Sequence, residues 1–131
     1  MKKTTLLNSN VSSVIASMGH KDTLIIGDCG LPIPRNTERI DLALRKGVPS
    51  FLDTLDTVLT ELCVERAILA EEIKTDSPQM HMDILSRLKD ISIDYVSHEE
   101  LKHQMKDARA VIRTGECTSF ANIILVSGVT F

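Results

Sequence analysis

The chain has 131 residues, of which 43% are hydrophobic and 25% charged, so it is long enough for one packed domain and too apolar for a disordered segment. Fifteen Lys and Arg face 18 Asp and Glu, a net charge of −3, and aromatic residues make up 3% with no Trp. That balance offers neither the basic surface that nucleic acid requires nor stacking platforms for a single strand, so no nucleic-acid partner is expected.

The first segment, residues 8–18, places Val11, Val14, Ile15 and Met18 at helical spacing, with Asn or Ser available as caps. The apolar run at 23–28 predicts a buried strand. It stops at Gly27, Asp28, Cys29 and Gly30, and Pro32 and Pro34 forbid a helix directly after it. Residues 39–44 alternate as a strand, with a helical turn as the alternative. Ser50, with Asp53 three positions on, caps a helix over 50–62. Residues 64–70 read as a strand, and Ser77 before Pro78 as the N-cap of a helix over 78–90. A strand follows at 91–97. Ser97 then caps a helix that opens at His98, with Glu99 and Glu100 in its first turn. Strands at 108–113 and 122–131 complete the chain.

Helices alternating with short β-branched strands predict an α/β fold, a three-layer α/β/α arrangement around a largely parallel sheet, in a single domain over 1–131. Such sheets bind ligands beyond the carboxyl ends of their strands. Asp28 falls at such a place. It is a candidate to accept two hydrogen bonds from vicinal hydroxyls of a polyol, or it holds its own backbone as a turn residue. His98, at a strand-to-helix junction, is a second candidate, with Lys102 one turn later on the same helix face. His20 follows Gly19 where the first helix should end. It is either a proton carrier or a cation on the helix carbonyls. His81 and His103 read as exposed helix positions. In residues 115–122, Phe120 is a candidate to stack on a sugar face or to plug the core, and Asn122 a candidate amide ligand.

No dinucleotide or P-loop motif and no nucleophile elbow occurs. Three widely spaced cysteines, Cys29, Cys63 and Cys117, form neither a disulfide framework nor a zinc spacing, so a reducing cytoplasmic setting is expected. The opening residues MKKTTLL imitate a signal peptide until Asn8, Ser9 and Asn10 interrupt them, and no apolar run is long enough to span a membrane.

Read in order, the blocks GHKDTLIIGDCGLPIP, RIDLAL with GVPSFLDTL, YVSHEELK, AVIRTGE and FANIILVSGVTF cover nearly the whole chain and resemble the RbsD/FucU family of sugar mutarotases. The resemblance implies an RbsD-like fold and interconversion of the pyranose and furanose forms of D-ribose, with no metal or organic cofactor. It implies that His20 is the catalytic proton donor. It makes Asp28, His98 and the segment Phe120, Ala121 and Asn122 sugar-binding. It also implies a cytoplasmic homo-oligomer, a decamer of two stacked pentameric rings with sites at subunit contacts. Two alternatives stand beside this reading: a non-catalytic ribose-binding accessory protein of sugar uptake, and a mutarotase for fucose or a related sugar. The chain departs from the family at Phe120, where Tyr is usual, at Ser119, where Pro is common, and at Cys29, which replaces a common Ala. The missing phenol removes one hydrogen bond to sugar, worth about 0.5–1.5 kcal/mol.

Overall fold

A computed structural model describes residues 1–131. In chain order it contains α1 (Ser9–Ser17), β1 (Thr23–Gly27), β2 (Arg39–Asp41), α2 (Phe51–Leu59), β3 (Val64–Ala70), α3 (Ile73–Asp76), α4 (Pro78–Arg87), β4 (Ser92–Val96), α5 (His98–Gln104), β5 (Ala110–Arg113) and β6 (Ile123–Ser127). The six strands form one sheet in the order β2-β5-β1-β6-β3-β4. β1 and β2 run parallel to β5, and β3 parallel to β4, whereas β6 is antiparallel to both β1 and β3. The sheet is thus largely parallel, as expected, with one reversed strand near its centre. The reversal follows from chain length. Only residues 114–122 join β5 to β6, too few for the dozen or more residues of a parallel crossover.

Alternation along the strands divides the core. Leu24, Ile26, Ala67, Leu69, Ile112, Ile123 and Leu125 face α1, α2 and α4, where Val11, Val14, Phe51, Leu55 and Ile84 meet them. Ile25, Ile68, Val111, Ile124 and Val126 face the other way, onto Leu101 of α5, Met105 and Leu31. Helices therefore cover both faces, giving the three layers expected.

Local signals account for most element starts. Asn8 caps α1 by accepting from the Val11 N–H, Ser50 caps α2 through the Asp53 N–H, and Ser97 caps α5 through the Glu100 N–H. Ser77 departs from expectation. Its side chain makes no cap bond and donates instead to the Ser119 carbonyl at 2.7 Å, tying the start of α4 to the 115–122 loop. The strand over 39–44 shrinks to three residues, because Asp41 accepts from the Ala43 N–H and turns the chain. The final strand ends at Ser127 and the strand before it starts at Ala110. The short helix α3, with no capping side chain, carried no sequence signal.

Candidate active site

β6 runs against β1, with Ile26 opposite Ile123, so the start of β6 lies beside the carboxyl end of β1. This places Asn122 against Asp28, 94 residues apart in sequence. The Asp28 N–H donates to Asn122 Oδ1 at 3.0 Å, and Asn122 Nδ2 donates to Asp28 Oδ2 at 2.9 Å. Asp28 Oδ1 accepts from the Gly30 N–H at 2.8 Å. Asp28 is therefore a turn residue and also an oriented carboxylate. Its oxygens have about four acceptor positions, of which two are taken, leaving two for hydroxyl donors. Gly27 is required here: a Cβ would meet Leu31 Cδ2 at 2.5 Å and Asn122 Oδ1 at 2.9 Å.

Phe120 and Ala121 precede Asn122 on the same loop. Ala121 is buried, and Phe120 holds a left-handed φ of 60°, a conformation that costs a residue with a Cβ about 1–2 kcal/mol. The Asn122 N–H closes the turn on the Phe120 carbonyl at 2.8 Å. This conformation presents the Phe120 ring to His98, edge to face with centroids 5.1 Å apart. His98 opens α5, and its backbone N–H donates to the Glu72 carboxylate at 3.0 Å. Its ring Nδ1 is buried and has no hydrogen-bond partner. A buried polar atom without a partner is costly, so this nitrogen stands as an uncompensated group in the packing around the Phe120 ring. Lys102, one turn along α5, pairs with Glu99, whose carboxyl it holds below the ordinary value by hydrogen bonding and charge.

His81 departs from its expected exposed position. It is half-buried, with Nε2 2.6 Å from the Tyr95 hydroxyl, and Lys74 lies over the Tyr95 ring. Burial pushes the His81 pKa down, and the Lys74 charge adds to the shift. The carboxyl end also holds two thiols at the foot of the same loops. Cys29 and Cys117 have their sulfurs 3.5 Å apart, and the Cys29 pKa is raised, first by this hydrogen bond and then by burial.

His20 lies elsewhere. It sits in the turn before β1, at the opposite end of that strand from Asp28, in a depression of about 450 Å³ lined by Met18, Cys63, Ser127 and Phe131. It does not cap α1, whose last orphan carbonyl bond comes from the Met18 N–H. Its Nε2 instead pairs with Glu65 Oε2 at 2.9 Å, and half of the side chain is exposed. Five strand residues at ~3.3 Å each separate the two ends by about 16 Å, beyond the span of a pentose. The structure pairs Asp28 with Asn122 and His98 with Phe120, the two pairs being joined through the 120–122 segment, and leaves His20 apart within one chain. Glu65, Glu72 and Cys117 escaped the sequence reading. Each meets its partner across 26 to 88 residues, and no local pattern reports such a pairing.

The fold and these clusters define an α/β protein with an oriented carboxylate and amide at the carboxyl end of β1 and a half-exposed imidazole at its amino end. A family model described as the RbsD / FucU transport protein family matches residues 1–130. The chain belongs to this family. It is 60% identical over 131 residues to a protein of Clostridium perfringens named D-ribose pyranase, with both chains covered in full. It is 53% identical to a protein of the same name from Klebsiella pneumoniae, again over the full length of both. Among solved structures, that of Bacillus subtilis RbsD complexed with D-ribose superposes with a TM-score of 0.97 at 44% identity, covering all of both chains. A Streptococcus pneumoniae fucose mutarotase complexed with L-fucose shares the fold, at a TM-score of 0.86 and 20% identity.

Proposed function

We propose that the chain is an isomerase that interconverts the pyranose and furanose forms of D-ribose. The observation that carries this reading is end-to-end identity of 53–60% to proteins named D-ribose pyranase. The site agrees in kind: Asp28 is oriented by Asn122 and Gly30 and has acceptor capacity to spare.

The chemistry asks little of the protein. Ring opening moves one proton onto the ring oxygen and takes one from the anomeric hydroxyl; the open aldehyde then recloses through a different hydroxyl. No electrons are exchanged and no covalent enzyme intermediate is needed. His20 donates the proton to the ring oxygen and later takes one back. Glu65 accepts from His20 Nε2–H, which fixes the ring and leaves Nδ1 as the exchanging nitrogen. Asp28, oriented by Asn122 and Gly30, holds sugar hydroxyls, and His98 with the Phe120, Ala121 and Asn122 segment orients the rest of the sugar. Lys102 supplies a further donor from α5.

For His20 to reach a sugar held at Asp28, a second copy of the chain must bring it. The working form in this reading is a homo-oligomer, a decamer of stacked pentameric rings, in which His20 of one protomer enters the carboxyl-end site of its neighbour. The length of β1 supports this arrangement. No helix is long and apolar enough to cross a membrane, and the cytoplasm is the proposed setting.

Magnetisation transfer between the anomeric protons of D-ribose tests the function. Wild type is expected to speed pyranose–furanose exchange, and His20→Ala to lose about 10²–10⁴-fold of that acceleration while still binding ribose. Ribose binding with no acceleration by wild type would make the protein an accessory binder. Acceleration of fucose and not ribose exchange would reassign the substrate.

A further inference from the structure

Cys29 and Cys117 are 88 residues apart in sequence, yet their sulfurs lie 3.5 Å apart. The strands bring them together twice over. Cys29 follows Asp28 in the turn after β1, Cys117 lies in the loop after β5, and β1 pairs with β5 in parallel register up to Gly27 opposite Arg113. Beyond that register the loops stay bonded: the Cys29 N–H donates to the Glu116 carbonyl at 2.8 Å, and Arg113 Nε donates to the Cys29 carbonyl at 3.0 Å. The backbone contact at Glu116 fixes the two Cα atoms near one another. A disulfide needs the sulfurs to close by about 1.5 Å, within the reach of a side-chain rotation. Cys117 is exposed and Cys29 half-buried, so an oxidant meets Cys117 first. Cys63 is not part of the pair. It lies at the amino end of the sheet, where its thiol donates to the Val129 carbonyl at 3.2 Å.

We infer that Cys29 and Cys117 form a reversible disulfide that fastens the two loops of the sugar site. One loop carries Asp28 and the other carries Phe120, Ala121 and Asn122. The oxidant is a low-molecular-weight disulfide. The Cys117 thiolate attacks one of its sulfurs, and one small thiol leaves as the mixed disulfide forms. The Cys29 thiol loses its proton to solvent, and its thiolate then attacks Cys117 Sγ, expelling the second small thiol. Two protein thiols become one disulfide, and one small disulfide becomes two small thiols. Because the loops are already joined through Glu116, the bond holds them as they stand. Formation of the bond is independent of what the site binds. Its effect on the sugar rests on the ribose reading above.

The test uses the full-length protein treated with glutathione disulfide, followed by alkylation and intact-mass and peptide analysis. Alkylatable thiols are expected to fall from three to one, with a linked peptide joining Cys29 to Cys117. Dithiothreitol should restore all three, and Cys63→Ala should form the same link. The oxidised protein should melt about 5–15 °C higher. It should bind D-ribose about two- to fivefold more tightly, since loops held in the binding arrangement lose less freedom on association. Three persistent thiols, a stable glutathione adduct on Cys117, or a link that includes Cys63 would overturn the pairing. A Cys29–Cys117 link with unchanged or weaker ribose affinity would overturn the fastening of the site. Failure of the reduced protein to bind ribose would count against the sugar reading alone, because the thiol count decides the pairing without it.

Discussion

At the carboxyl end of β1, Asp28 is held by its own turn and by a buried amide, beside a histidine anchored to Glu72. At the amino end of the same strand, His20 has one partner, Glu65, and half of its surface open. The first cluster is braced by hydrogen bonds before any ligand arrives, as positioning hydroxyls demands. The second keeps half of its imidazole exposed, as exchanging a proton with an incoming group demands. β6 bounds both clusters, from Asn122 at one end to Ser127 at the other. In the proposed reaction, binding and proton transfer thus fall at opposite ends of the central strands, and the contrast teaches that one copy of the chain separates what that reaction must join.

The sharpest way to break that contrast is to show that the two ends share one task. Asp28→Ala removes charge-assisted hydrogen bonds to sugar worth about 1.5–3 kcal/mol each, so ribose affinity should fall about 100-fold or more by titration calorimetry. His20→Ala should lower that affinity by no more than about tenfold, since one neutral hydrogen bond carries about 0.5–1.5 kcal/mol of net energy. Comparable losses in the two variants would show that His20 is a binding group and would end the division.

Mixing sharpens the comparison further. His20→Ala and Asp28→Ala chains are each expected to be inactive when assembled alone. Co-refolded in equal amounts, they should recover about a quarter of wild-type exchange, because a quarter of the shared sites pair an intact His20 with an intact Asp28 of the neighbouring copy. If the site lay within one chain, no pairing would restore it, and activity would stay at the level of the separate variants.

These two ends are unequally legible in the sequence, and the reason is physical. Helix caps and strand alternation are local, so Ser50, Ser97 and the run over 64–70 were legible. The glycine-flanked turn after β1 announced Asp28 as a ligand-facing residue. The reversed direction of β6 was not read, although the short 114–122 connection implies it. Without that reversal the pairing of Asp28 with Asn122 has no basis. Ser77 was read as a cap because Ser before Pro is a strong local pattern; a tertiary bond to the Ser119 carbonyl took the hydroxyl instead. His81 was read as exposed because its helix looked polar, yet Tyr95 lies across from it on β4. The family resemblance marked His20 but carried no sign of Glu65, which meets it from 45 residues away.

A smaller effect should come from Phe120, which the strained loop turns toward His98. Phe120→Tyr adds a hydroxyl at the braced end and leaves the proton carrier untouched. One further hydrogen bond to sugar, about 0.5–1.5 kcal/mol, should tighten ribose binding about two- to twelvefold, read by calorimetry. If the exchange rate at saturating ribose rose while affinity stayed fixed, the hydroxyl would be moving a proton, and the division between the ends would no longer hold.

The smallest effect concerns what supports the braced end. His81, Tyr95 and Lys74 flank the segment that bears Glu71 and Glu72, and Glu72 anchors His98. Burial and the Lys74 charge place the folded-state pKa of His81 below its ordinary 6.5, with Glu71 opposing weakly. Below pH 6.5 the unfolded chain therefore takes up a proton at His81 that the folded chain refuses, and stability falls as the pH falls until the lowered folded-state pKa is reached. His81→Gln removes this titration along with the bond to Tyr95. The melting-temperature deficit of the variant relative to wild type should accordingly be largest near neutral pH and should narrow as the pH drops below 6.5. A deficit that stayed constant across that range would mean that His81 takes up its proton equally in both states. The carboxyl end would then owe this support to the Tyr95 bond alone, with no dependence on the charge of the histidine.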